Sequence, residues 1–493
     1  MKLKYLLDGT DIDLNGFEDI EIKGLARNSE KIKPGYLFLA SKGSKIDAKQ
    51  FIPEAEKAKA AAALTDDLVK NHTIPCFFAK NFEKTVSLIS RTFYSDPSAS
   101  LYCVGITGTK GKTTVSYLLE KSFKDFSLKP SVIGTVNYRT WKKVIMQAPN
   151  TTPAEPLLCE TLYAFINQGC SSCILEVSSH ALALGRVDNV SFDAAVFTNL
   201  QSDHLDFHKT REEYFLAKKK LFEKLSESQK KNKLAVINGD DPVATDLSRE
   251  CKAGVRKVLY GFSPSCDYQA INLKETPLAT SFDMKNPKGT VHSFSIKLIG
   301  RHNVYNFLAA AALLLEKGFT VQSIKDSLEN FSSIPGRLEK IESSKGFFVF
   351  VDYAHTEESL KSAISALRKS CQARIITVFG CGGDRDRTKR APMGWAACEM
   401  SDIAIITSDN PRTENPSEII EEIESGVKGH FSNYFKIPDR AEAIREAVRL
   451  AGKGDFVLIA GKGHETYQIT AEGKIHFDDR QQAKIAMKEL GKL

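Results

Sequence analysis

The sequence predicts an α/β protein of three domains: a small N-terminal α/β domain, a central domain on a parallel sheet, and a C-terminal Rossmann-like α/β domain. Three observations carry this expectation. At 493 residues the chain is too long for one hydrophobic core. From Leu101 onward, apolar runs of strand length alternate with stretches of helical period, the pattern of a parallel sheet flanked by helices. The strand series then starts afresh after Ser332-Ser333-Ile334-Pro335-Gly336-Arg337, a turn-forming stretch.

Residues 1–88 hold short apolar runs such as Tyr36–Ala40 and an Ala-rich segment from Ala58 to Ala63, enough for a small α/β unit but without a nucleotide motif. The turn cluster Tyr94-Ser95-Asp96-Pro97-Ser98 separates them from a central domain, taken as 89–333, whose strands are expected at Leu101–Ile106, Cys173–Leu175, Ala194–Phe197 and Leu234–Ile237. In the last domain, 334–493, the strand runs are Phe347–Val351, Arg374–Phe379, Ile403–Ile406 and Phe456–Ala460. No repeat and no low-complexity tract interrupts this plan.

Composition excludes several function classes. With 42% apolar and 26% charged residues and no long apolar run, the chain is expected to be soluble, without a membrane span. Its N-terminus turns acidic at Asp8 before any signal-like apolar stretch, so a cytoplasmic location is expected. The net charge of +7 is modest and spread out, which gives no reason to expect nucleic acid as a partner. Ten scattered cysteines show no paired metal-ligand spacing, and the one C-x-x-C, Cys170 to Cys173, is expected in a buried strand.

The strand ending at Ile106 feeds Thr107-Gly108-Thr109-Lys110-Gly111-Lys112-Thr113-Thr114, after which Val115, Leu118 and Leu119 recur at helical spacing. Strand, glycine-rich loop and helix form the context of a P-loop. Glycines let backbone N–H groups crowd a phosphate at a helix N-terminus, Lys112 supplies a positive charge, and the Thr113 hydroxyl can ligate magnesium. Ile106 stands where the general motif has glycine, so this is a shortened G-x-x-G-K-T form. The bland alternative is a glycine-rich turn with an incidental lysine.

Glu176-Val177-Ser178-Ser179-His180 follows one strand and Thr198 to Asp206 the next, both at the edge where open α/β sheets bind ligands. Glu176 is a candidate magnesium ligand, although a carboxylate at a strand end can also be a helix cap. In the following helix Lys218 falls within the apolar stripe of Tyr214, Phe215, Leu221, Phe222 and Leu225, while Lys219 and Lys220 point away. Either its stem is buried and its charge snorkels, or the amine is modified.

Together these motifs resemble the Mur ligases of peptidoglycan precursor synthesis, and the likeness continues through Gly300–Asn306, Pro335-Gly336-Arg337, Asp352-Tyr353-Ala354-His355, Phe379–Arg387 and Ala460–Glu465, covering essentially the whole chain. It is greatest for the members that add the third stem-peptide residue, on the marks Asn150-Thr151-Thr152-Pro153 and Gly461–Glu465. The resemblance implies an ATP-dependent ligase of cell wall biogenesis, hence of cell shape and division, acting as a monomer on small molecules. Gly108, Thr109, Lys110, Gly111, Lys112, Thr113 and Thr114, with Asn303, Arg337, Asp352 and His355, would bind ATP. Thr113 and Glu176 would hold one Mg2+; His204 and Lys218, the latter carbamylated by carbon dioxide, would hold a second. Lys112, Glu176, His204 and Lys218 would form the catalytic set.

For the substrate UDP-N-acetylmuramoyl-L-alanyl-D-glutamate, the likeness implies contacts from Ser29, Ser44, Lys45, Ile46, Asn150, Thr151, Thr152, Ser178 and Arg186. Here the chain departs from the family: Asn28-Ser29-Glu30 replaces Asp-Ser-Arg, Asp47-Ala48-Lys49 replaces Asp-Gly-His or Asp-Gly-Arg, and Leu184 stands where glutamine is usual. Asp409-Asn410-Pro411-Arg412 resembles the signature of enzymes that select meso-diaminopimelate, whose distal carboxylate a planar guanidinium can grip through two hydrogen bonds; L-lysine has no such carboxylate. Arg385, Gly461 and Glu465 would complete that pocket. The bland reading of Arg412 is a surface arginine after a turn. The implied reaction activates the D-glutamate carboxylate as an acyl phosphate that the amine then displaces, with domain closure assembling the site. A lysine-adding ligase, a folylpolyglutamate synthase-type ligase and an ATP-binding switch without ligase activity remain the alternatives.

Overall fold

The computed structural model describes residues 1–43, 46–201, 205–276, 278–331 and 333–493, with 205 and 206 described for their backbone alone. The chain divides into two compact units, Met1–Cys266 and Asp267–Leu493.

The first unit opens with a parallel sheet, β1 (Gly24–Ala26), β2 (Tyr36–Ala40), β3 (Ala62–Thr65) and β4 (Cys76–Phe78), in that order. Alternation along β2 feeds two cores: Leu37 and Leu39 pack with Val86 and Ile89 of the helix Phe82–Phe93, while Phe38 and Ala40 pack with Ile52 and Ala55 on the opposite face. The larger sheet contains β5 (Tyr102–Thr107), β6 (Pro130–Ile133), β7 (Asn137–Thr140), β8 (Val144–Gln147), β9 (Ser172–Glu176), β10 (Ala194–Phe197), β11 (Lys233–Asn238) and β12 (Val255–Gly261). Their spatial order is β12-β11-β10-β5-β9-β6-β7-β8. All neighbours pair in parallel except the β6-β7-β8 meander, a departure from the all-parallel expectation.

Register decides what meets at the carboxyl edge. Ile106 pairs with Glu176, and Thr107 pairs with Phe197, so β5, β9 and β10 deliver the phosphate loop, Glu176 and Thr198 to one place. Cys173 lies in β9, whereas Cys170 precedes it, buried beside the turn at Gly169. All ten cysteines are free thiols.

The second unit begins with three antiparallel strands, β13 (Tyr268–Glu275), β14 (Thr280–Lys285) and β15 (Val291–Ile296), against which the helix Arg301–Glu316 packs through Phe307. A six-stranded sheet follows from β16 (Glu339–Glu342), β17 (Phe348–Asp352), β18 (Ile375–Phe379), β19 (Ile403–Ile406), β20 (Tyr434–Lys436) and β21 (Phe456–Ala460), in the order β16-β17-β21-β18-β19-β20. It is parallel apart from β16. Both faces are covered: Phe350 and Leu458 point into one apolar core, Val349, Val351, Val457 and Ile459 into the other. Burial on both faces explains why these strands read as unbroken apolar runs. The hairpin β22 (Tyr467–Thr470) and β23 (Gly473–His476) completes the strands. No helix among the described residues is long and apolar enough to cross a membrane.

Candidate functional site

The phosphate loop is held by the end of β10. Thr198 Oγ1 and Asn199 Nδ2 donate to Lys110 O at 2.6 and 3.1 Å, and Asn199 Oδ1 accepts from Lys110 N at 3.0 Å. Gly108 has φ 147°, and a Cβ there would lie 1.9 Å from Thr198 Oγ1, so glycine is required. The helix Lys112–Asp125 starts beyond Gly111, itself left-handed at φ 88°. Its first-turn N–H groups, from Lys112, Thr113 and Thr114, form an anion-receiving end. Lys112 Nζ folds back to donate to Gly108 O and Thr109 O at 2.8 and 3.0 Å.

Glu176 is buried, 1% exposed, and surrounded by hydroxyls. Thr113 Oγ1 and Thr135 Oγ1 donate to its Oε2 at 2.9 and 2.8 Å, and Ser116 Oγ shares its one proton between Thr113 O at 2.8 Å and Oε1 at 3.1 Å. Gly134 leaves room for this carboxylate, because a Cβ there would come within 2.3 Å of Oε1. Sequence reading named Thr113 and Glu176 but missed Ser116 and Thr135. Ser116 lies one helical turn after Thr113, a legible spacing; Thr135 follows β6 at the same sheet edge, which only the topology reveals.

Lys218 is 1% exposed within the helix Arg211–Glu227, and its Nζ sits 4.2 Å from the centroid of the Tyr214 ring. The Tyr214 hydroxyl lies 3.1 Å from Thr109 Oγ1, so this helix is tied to the phosphate loop. The amine is buried against an aromatic face. His204 lies outside the described residues.

The residues expected along the sugar and dipeptide cluster around Thr152. Its Oγ1 donates to Glu176 O at 2.8 Å and accepts from Ser178 N at 3.1 Å, while Arg186 donates to Thr152 O at 2.9 Å. Thr151 Oγ1 is 3.2 Å from Thr135 Oγ1, and Asn150 O accepts from the Tyr138 hydroxyl at 2.6 Å. The altered N-terminal motifs have local work: Asn28 Oδ1 caps the turn Ser29–Lys31 through Glu30 N, and Asp47 Oδ1 caps the next through Lys49 N. Lys49 also pairs with Asp66 at 2.6 Å. Ile46 and Leu184 are exposed, at 57% and 49%; Ser44 and Lys45 lie outside the described residues.

In the second unit, Asn303 donates from Nδ2 to Ile299 O at 2.8 Å and accepts from Asn306 at 3.1 Å. Arg337 sits on a turn braced by Asp352, whose two oxygens accept from Leu338 N and Ala354 N at 2.8 and 2.9 Å. Burial pushes the Asp352 carboxyl up, with the Arg337 charge opposing. His355 Nδ1 is 2.7 Å from Tyr353 O, which places the ring hydrogen on Nδ1, and burial lowers its pKa.

Asn410 is the centre of a second polar cluster. Its Nδ2 donates to Glu465 Oε2 at 3.0 Å, and its Oδ1 accepts from Lys462 Nζ at 3.0 Å and Ile469 N at 2.9 Å. Arg412, left-handed at φ 53° after Pro411, donates to Gly383 O at 2.7 Å and lies 3.4 Å from Asn410 O. Asp409 is buried opposite Gly461, where a Cβ would come within 2.4 Å of Asp409 Oδ2. Arg385 is exposed and bonds only locally, to Asp384 O at 3.2 Å, so these contacts do not tie it to the Asn410 cluster. Lys462 was missed by sequence reading although it lies inside the motif that supplied Gly461 and Glu465.

Comparison with known proteins places the chain in a family. Residues 106–314 match the Mur ligase middle domain, and 336–463 match the Mur ligase glutamate ligase domain. A UDP-N-acetylmuramoyl-L-alanyl-D-glutamate--2,6-diaminopimelate ligase from Geobacillus thermodenitrificans is 40% identical over 494 residues, spanning 99% of this chain and 100% of its own. The chain belongs to the Mur ligase family. It is therefore an ATP-dependent, amide-bond-forming ligase of peptidoglycan precursor synthesis. A solved structure of a ligase with the same name, 30% identical, superposes with a TM-score of 0.71 over 100% of both chains. The MurF ligase of Thermotoga maritima in complex with ADP, 20% identical, shares the fold with a TM-score of 0.63, covering 95% of this chain and 97% of that one.

Proposed function

We propose that this ligase adds meso-diaminopimelate to UDP-N-acetylmuramoyl-L-alanyl-D-glutamate in the cytoplasm, as a monomer, through an acyl phosphate. The observation that carries the amino-acid choice is the arrangement about Asn410: the Arg412 guanidinium lies against its carbonyl and the Glu465 carboxylate against its amide. A cation and an anion hung on one residue suit the distal carboxylate and ammonium of diaminopimelate, whereas L-lysine would offer the guanidinium no carboxylate.

In this reading residues 1–88 bind the UDP end of the substrate, 89–333 bind ATP, and 334–493 bind the amino acid. The loop from Gly108 to Thr114 holds the phosphates, with Lys112 turning outward to meet their charge. Glu176 and the hydroxyls of Thr113, Ser116 and Thr135 form an all-oxygen donor set, which suits Mg2+ better than softer ions. Bound there, the ion supplies charge neutralisation for phosphoryl transfer. Thr151, Thr152, Ser178 and Arg186 orient the D-glutamate, so that its carboxylate attacks the γ-phosphate and ADP leaves. The diaminopimelate amine attacks the acyl carbon, and phosphate leaves. No side-chain nucleophile takes part.

Lys218 is read as a carbamate that joins His204 in holding a second Mg2+. Its burial over Tyr214 supports this, since a buried amine is readily neutral and neutral amines take up carbon dioxide. Lys218→Ala is expected to be nearly inactive and partly restored by short-chain carboxylates; full activity would overturn the carbamate.

The test of the reaction incubates the enzyme with UDP-N-acetylmuramoyl-dipeptide, ATP and Mg2+ and supplies either meso-diaminopimelate or L-lysine. Phosphate release with a product of the diaminopimelate adduct mass is expected in the first arm alone. Turnover with L-lysine and none with diaminopimelate would overturn the assignment.

A further inference from the structure

Lys462 is fully buried, and the reaction described above gives it no task. It follows β21 on the loop that also carries Glu465. A buried ammonium is costly unless it is paired and hydrogen-bonded, and Lys462 meets both conditions: Asn410 Oδ1 at 3.0 Å and Glu465 Oε2 at 3.3 Å. Tyr467 adds an aromatic face 5.7 Å away.

These contacts settle an ambiguity that an isolated asparagine would keep. An amide oxygen has two lone pairs, and on Asn410 both are taken, by Lys462 Nζ and by Ile469 N. A flipped amide would set its NH2 group against those two donors, so Nδ2 must face Glu465. Glu465 is oriented in turn, because Asn410 and Lys462 both contact Oε2, leaving Oε1 for an incoming ammonium. The backbone of Asp409, next in the chain, is pinned by Gln468 at 2.6 Å.

We propose that Lys462 is the positioning residue of the amino-acid pocket: it locks the Asn410 amide and the Glu465 carboxylate into one orientation and thereby sets the preference for an amino acid with a second ammonium–carboxylate pair. The proposal rests on the reading of Asn410, Arg412 and Glu465 as the diaminopimelate pocket. Lys462 does not touch the substrate; it acts through the two residues that do.

Full-length Lys462→Met is assayed with each substrate varied in turn. The KM for meso-diaminopimelate is expected to rise roughly 10- to 100-fold, the usual loss when a residue supporting a ligand-binding group is removed. The KM values for ATP and for the UDP substrate should stay within about twofold, and the ratio of kcat/KM for diaminopimelate over L-lysine should fall. Added to the Asn410→Ala, Glu465→Gln double variant, the substitution should cost at most about twofold more, because its effect runs through those two residues. A diaminopimelate KM within about twofold of the parent, or equal rises in all three KM values, overturns the proposal. If Lys462→Met does not fold, Lys462→Leu, which likewise removes the donor, carries the same test; loss of fold in both makes the lysine structural and also overturns it. Arg412→Ala separates the two levels: an unchanged diaminopimelate KM there means the pocket itself was misread, whatever Lys462 does.

Discussion

Glu176 and Glu465 are both carboxylates held in place by neighbours, but by opposite means. Three hydroxyls, all neutral donors, secure Glu176 and fix its geometry. Glu465 is secured by an amide and a buried ammonium, which fix its geometry and oppose part of its charge. The first arrangement suits a ligand that brings positive charge, as a divalent cation does; the second suits a ligand chosen by shape and charge pattern. Glu155 shows what happens with neither set. Buried, with the amide and thiol of Cys159 as its donors among the described residues, its carboxyl is pushed up to about 7, burial being the main cause.

The contrast can be broken most sharply at Glu176. Glu176→Gln keeps the size of the side chain and removes the carboxylate; kcat is expected to fall roughly 1000-fold, with the diaminopimelate KM unchanged. Steady-state kinetics at saturating ATP checks this, and a parent-like kcat would mean that the hydroxyl ring is merely structural.

Arg412→Ala probes the other carboxylate's neighbourhood. Loss of a charge-assisted pair of hydrogen bonds, about 2–3 kcal/mol, should raise the diaminopimelate KM about 100-fold while sparing ATP. An equal loss for both substrates would erase the distinction drawn between the two clusters.

The smallest effect concerns Glu155 and is read as stability. Burial pushes its carboxyl up to about 7 from the ordinary 4.5, so the folded state holds a proton that the unfolded chain has released between these values. Stability from this group is therefore full below about pH 4.5 and declines as pH rises toward 7. Glu155→Gln cannot titrate, and should match the parent Tm at pH 5 more closely than at pH 8, where the variant should be the more stable. Differential scanning calorimetry across that range measures it; parallel Tm curves would show that Glu155 is ionised when folded.

Much of this site was legible in the chain itself. Gly108, Gly111, Lys112 and Thr113 are close in sequence, and their task depends on backbone geometry that local sequence dictates. The apolar stripe around Lys218 was legible too, because helical period brings Tyr214 and Lys218 onto one face. Thr135 was not, since its partner Glu176 is 41 residues away and they meet through the order of β6 and β9. The antiparallel β6-β7-β8 extension was missed for a similar reason: β7 and β8 are short, and no alternation marks their partner.

Sequence alone thus determined the α/β layering, the phosphate loop, Glu176 at a strand end and Lys218 on an apolar stripe, because each rests on residue type at short spacing; the roles of Lys218 and Arg412 came from the family resemblance. Tertiary structure decided which donors each carboxylate receives. Strand order and register brought the hydroxyls to Glu176 and the Asn410 amide to Glu465, and no local pattern encodes contacts between residues tens of positions apart; Lys462, three residues from Glu465, is the local exception.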